Sequence, residues 1–79
     1  MSSSNSISRI IKFHRSKSGL TQKQLADLSG VGKTVIFDIE NGKETIRFST
    51  LLKVIKSLNI SIVFKSPLME NFNEKSESI

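Results

Sequence analysis

"LTQKQLADLSGVGKTVIFDIENG", Leu20–Gly42, decides how this chain is read. Thr21 can accept a hydrogen bond from the third amide of a following helix, and Gln24, three residues on, can reach back to the Thr21 amide. Leu20 and Leu25 stand where a hydrophobic staple clamps such a helix start, and Leu25, Ala26 and Leu28 are expected on its buried side. Gly30 follows Ser29 as a left-handed stop. After Val31 and Gly32, the residues Val35, Ile36 and Ile39 repeat at helical spacing until Asn41-Gly42 ends the segment. Two short helices with a connection this brief and glycine-containing have the form of a helix-turn-helix.

The same stretch contains Gly32-Lys33-Thr34, the ending of a phosphate-cradling loop. That loop needs another glycine five residues before Gly32, directly after a buried strand. Position 27 is Asp27, and the segment before it is a capped helix. Nucleotide binding therefore fails on spacing, and no enzyme or cofactor motif remains.

Upstream, Ile7, Ile10, Ile11 and His14 predict a helix with one apolar stripe, running to about Ser18 and closed by Gly19. Residues 1–5 have nothing to bury and read as a flexible arm. Downstream, Leu51, Leu52, Val54, Ile55 and Leu58 predict a core helix starting near Ser49, a possible cap. The expectation is an all-α bundle of four to five helices, followed by one strand over 60–65. Ile60, Ile62 and Phe64 alternate there with Ser61, Val63 and Lys65 before Pro67 stops the ladder. A lone strand cannot satisfy its own amides. A second copy is expected to supply the missing partner, through Ile60, Ile62, Val63 and Phe64. The organisation is thus an arm over 1–5, a domain over 6–65, and an acidic tail over 66–79 that is expected to be disordered. Leu68, Met69 and Phe72 in that tail fit either a docking motif or a frayed end.

Charge follows the same division. The 79 residues hold 12 Lys and Arg against 7 Asp and Glu. Residues 1–65 have net charge +7, whereas 66–79 have −2, from Lys75 against Glu70, Glu74 and Glu77. A basic body suits a polyanionic partner. The absence of cysteine excludes disulfides and thiolate metal sites, and His14 is the single histidine. With no apolar run long enough to span a bilayer and no signal-peptide core in "MSSSNS", a soluble cytoplasmic protein is expected.

"LTQKQLADLSGVGKTVIFDIENGK" resembles the lambda-repressor-like (XRE, Cro/C1-type) helix-turn-helix family, and the pattern extends from Ile7 to about Ile60. The continuation "STLLKVIKSLNISIVFK", a helix leading into a strand, is similar to HipB-like antitoxins. That resemblance implies a repressor of its own operon that binds a HipA-like serine/threonine kinase toxin. It also implies a homodimer closed by strands from both subunits, on an inverted-repeat DNA operator. A free-standing repressor, of the phage or restriction-controller kind, is the alternative. Lys33 and Thr34 match the family's base-reading positions, with a phosphate clamp the alternative for Lys33. Phe37 stands where a small polar residue is expected; it either meets a thymine methyl or folds into the core. Gln22, Asn41 and Lys43 match phosphate-contacting positions, and a plain solvated turn is the alternative for the last two. Asp38 reads as a structural ion pair. Glu40 matches an inward-turned acid with Arg9 or Arg15 as its partner.

Overall fold

The computed structural model describes residues 3–72. Four α-helices form: α1 Ser3–Lys17, α2 Gln22–Ser29, α3 Lys33–Glu40 and α4 Phe48–Ser57, followed by a single 3-10 turn at Met69–Asn71. The all-α expectation holds. α1 starts at Ser3, so the expected boundary between arm and domain falls inside a helix. Residues 1–2 and 73–79 lie outside the described residues, and with them half of the tail expected to be disordered. None of the described helices is long and apolar enough to cross a membrane.

The helix ends follow local chemistry. At α2 the Thr21 Oγ1 accepts from the Gln24 amide at 3.0 Å, while Gln24 Oε1 accepts from the Thr21 amide at 2.8 Å. Such a cap stabilises a helix by about 1 kcal/mol. Gly30 closes α2 in the left-handed region at φ 73°, where a side chain would be strained. Asn59, at φ 59°, performs the same turn after α4, and the Ile60 amide donates back to the Ile55 carbonyl at 3.1 Å. Asparagine tolerates this conformation better than most residues.

Ile11, Leu25, Ala26, Ile36, Ile39, Val54, Ile55 and Leu58 form the buried core, drawn from all four helices. Ile7, Leu20, Val31, Val35, Ile46, Leu51, Ile60 and Ile62 pack around it. Three expectations are corrected by this arrangement. Leu28 is exposed, and Ser29 takes the inward position instead. At 100° per residue, positions 25, 26 and 29 share the side of α2 that faces the core, and 28 falls on its flank. Ile10 likewise leaves the α1 stripe and is exposed beside Phe13. α4 begins at Phe48 with Arg47 as its cap residue, ahead of the expected Ser49, because Ile46 already anchors the chain on the core.

Residues 60–65 form no strand within this chain, and only Val63 makes an isolated bridge. Ile60 and Ile62 turn toward the core, while Val63 and Phe64 are exposed. The expected grouping of Phe64 with Ile60 and Ile62 therefore does not hold in the single chain. A longer ladder needs the amides of a neighbouring strand, and none is present among the described residues.

Ser29 has a consequence for stability. Its hydroxyl is buried and has no hydrogen-bond partner among the described residues. An unpaired buried hydroxyl destabilises by about 1–3 kcal/mol, so Ser29→Ala is expected to raise stability by roughly 1 kcal/mol. Urea unfolding with an unchanged slope and a higher midpoint would confirm it; a lower midpoint would show that the hydroxyl is satisfied.

Candidate nucleic-acid interface

α3 is presented by the turn that precedes it. Gly30 reverses the chain, and the Val31 amide donates to the Ala26 carbonyl at 3.0 Å. Gly32 is extended at φ −76°, and the Val35 amide then closes the first turn of α3 on the Gly32 carbonyl at 3.0 Å. Ile36 and Ile39 lock the inner side of α3 into the core, with α2 its most extensively contacted neighbour. That fixes which residues face out.

Lys33, Thr34 and Phe37 are the exposed residues on the opposite side. Spacings of three and four place them together on one helical face. Phe37 is 52% exposed and lies outside the core, which removes the folded-back alternative. There is no acidic residue in the first turn of α3, so Lys33 stands where the helix already presents partial positive charge. Such a face offers a cation, a hydroxyl and an apolar ring to a polyanionic groove.

Asp38 is paired with Lys43, whose Nζ lies 3.5 Å from Oδ2, in line with the structural ion pair expected for it. The contact is partly exposed and contributes about 0–1 kcal/mol, leaving Lys43 available for exchange. Asn41 Nδ2 donates to the Phe37 carbonyl at 2.8 Å and so closes the C-terminal turn of α3. Two of the residues matched to phosphate, Asn41 and Lys43, thus have a local structural partner as well.

Behind this face lies a network linking α1, α2 and α3. Arg15 Nε donates to Glu40 Oε2 at 2.6 Å and Arg15 Nη2 to Oε1 at 3.1 Å. Arg15 Nη1 also donates to the Leu20 carbonyl at 2.8 Å. Glu40 is the inward acid expected, and of the two candidate partners Arg15 holds it. The hydrogen bond to Glu40 raises the Arg15 pKa most, burial opposes this, and the carboxylate charge adds to the rise. Gln22 Nε2 donates to Glu40 Oε1 at 3.1 Å. Sequence reasoning missed this last bond. Positions 22 and 40 belong to different helices, and no periodicity connects them. Gln22, matched only to phosphate from the sequence, is half-buried and ties the start of α2 to the end of α3.

Comparison with known proteins agrees with this geometry. Residues 11–65 match the HTH_3 family, described as helix-turn-helix. The chain is 34% identical over 61 residues to the HTH-type transcriptional regulator y4mF of Sinorhizobium fredii, covering 77% of this chain and 80% of that protein. It is 35% identical over 69 residues to the competence pilus inhibition repressor of Acinetobacter baylyi, covering 87% of this chain and 63% of the relative. Control protein C.SmaI of Serratia marcescens is 35% identical over 52 residues, which is 66% of this chain and 62% of that one. Among solved structures, a chain of a HipA-HipB-O2-O3 complex superposes with TM-score 0.76 at 25% identity, over 85% of this chain and 94% of its own. A HipB-O4 20mer complex gives 0.75 at 25% identity, with the same coverage.

Proposed function

The chain belongs to the lambda-repressor-like (XRE, Cro/C1-type) helix-turn-helix family, and from that premise we propose that it is a sequence-specific DNA-binding repressor acting as a HipB-like antitoxin. The observation that carries the DNA reading is the exposed set Lys33, Thr34 and Phe37 on one face of α3, whose other face is fixed in the core. In this reading α3 enters the major groove. Lys33 donates to guanine O6 and N7, Thr34 offers its hydroxyl or methyl, and Phe37 packs on a thymine methyl. Gln22, Asn41 and Lys43 hold phosphates on either side, Gln22 with the Nε2 hydrogen that Glu40 leaves unused.

Two copies pair through Ile60, Ile62, Val63 and Phe64, which covers the exposed Val63 and Phe64 and builds a ladder on residues 60–65. A two-fold pair places its α3 helices about 34 Å apart, one turn of DNA, on an inverted repeat. Likeness to HipB over 85% of this chain supports the antitoxin role and a HipA-like kinase partner. A second reading, a free-standing repressor, is favoured by the higher identity to the competence pilus inhibition repressor and to control protein C.SmaI.

A tagged pull-down from the host, with and without nuclease, separates the two readings. The antitoxin reading expects a kinase-like protein at near-stoichiometric amount after nuclease treatment. Recovery of DNA alone overturns it and leaves the free-standing repressor. For the groove reading, Phe37→Ala is expected to change stability by less than about 0.5 kcal/mol. Its affinity for the operator should fall by roughly fivefold to tenfold. Lower thermal stability with unchanged affinity would remove Phe37 from base reading.

A further inference from the structure

α1 has a second stripe that the groove reading does not use. Ile10 is 46% exposed and Phe13 57% exposed, and both lie on the side away from the buried Ile11. Lys17 Nζ sits 5.7 Å from the centre of the Phe13 ring, and His14 meets that ring edge-on with centroids 5.5 Å apart. Phe13 is therefore held in place by its own helix without being buried, as a pre-organised anchor is. Arg9 and Lys12 line the same shallow surface, and among the described residues those lining it all belong to α1.

An apolar centre with a basic rim calls for an acidic partner with apolar side chains of its own. Self-packing of two such stripes is opposed, since it would set one basic rim of Arg9, Lys12 and Lys17 against another. The chain itself contains a segment of the complementary kind. Leu68 and Phe72 are exposed and lie four residues apart, among Glu70, Glu74 and Glu77 of the acidic tail. Within one chain they do not line the α1 stripe.

We propose that the acidic segment around Leu68 and Phe72 of one copy docks on the Ile10–Phe13 stripe of α1 in a second copy. The contact joins two different surfaces, so it either closes by exchange between copies or links one molecule to the next. It is separate from pairing through residues 60–65, and in the linking arrangement it would connect pairs bound at neighbouring sites on one DNA.

The absence of cysteine allows a clean test. Ser16→Cys places a thiol beside the stripe and Asn71→Cys places one between the two anchors. The two full-length variants are mixed in equal amounts, one with a size tag, and mildly oxidised. A mixed Ser16–Asn71 disulfide is expected, because docking brings the two positions within bridging range. Adding Phe13→Ser to the Ser16→Cys copy should reduce that product about tenfold, the size of effect usual for an aromatic anchor. Lys12→Glu should reduce it as well, and provides a second variant that leaves the apolar stripe intact. No mixed product, a mixed product indifferent to both substitutions, or a Ser16–Ser16 product exceeding it would overturn the proposal.

Discussion

Glu40→Ala is expected to destabilise the domain by about 2–3 kcal/mol, somewhat less than removing one member of a fully buried ion pair. The Glu40 side chain is 3% exposed and that of Arg15 14% exposed, so the guanidinium would be left largely out of water without its carboxylate. Gln22 would lose its acceptor at the same time. For small domains whose whole stability is about 5–15 kcal/mol, a loss of this size brings partial unfolding at physiological temperature. Replacing both partners, as Arg15→Met with Glu40→Leu, is expected to restore most of the loss, since no charge then remains buried. Denaturant unfolding of the single and double variants measures both effects. A loss below about 1 kcal/mol for Glu40→Ala would place the pair with exposed salt bridges. The raised Arg15 pKa adds no pH dependence near neutrality. A cation with a raised folded pKa contributes stability below its unfolded pKa and loses it only as pH rises through the folded value.

Lys33→Glu is expected to lower operator affinity about a hundredfold or more, because it removes a base contact and adds a like charge beside phosphate. Fold stability should change by less than about 0.5 kcal/mol, since Lys33 is exposed and its helix is held from the other side. Lys33→Ala separates the two roles the residue can have. Base readout predicts relaxed preference at one position of each half-site, whereas a phosphate clamp predicts uniform weakening and a salt slope smaller by about one. Competition binding across single-base operator variants distinguishes them. Unchanged affinity for both substitutions would remove α3 from the groove.

What the sequence made legible was local. The Thr21–Gln24 capping box, the left-handed stop at Gly30 and the Val35–Ile36–Ile39 stripe each depend on residues within one or two helical turns. Those relations survive in any tertiary setting, and they placed α2, the turn and α3 correctly. Burial was harder to read at the flanks of a stripe. Leu28 and Ile10 are apolar at plausible helical spacings, yet which flank meets a neighbour depends on how the helices cross. α4 starts one residue ahead of the possible cap at Ser49, next to Ile46, which packs against the core. The Arg15–Glu40–Gln22 network was half legible. An inward acid followed from the family pattern, but choosing Arg15 over Arg9 and adding Gln22 needed three helices in place. Phe37 was undecidable from composition, because an aromatic suits a core and a groove equally well. Only the packing of α3 turned it outward.

The most direct test of DNA reading is selection of bound sequences from a random duplex pool, followed by footprinting of the enriched sites at two salt concentrations. An inverted repeat protected as two half-sites about ten base pairs apart on one face of the duplex is expected. Affinity should fall steeply as salt rises, through release of phosphate counterions. No enriched sequence, or protection without paired half-sites, would contradict that expectation.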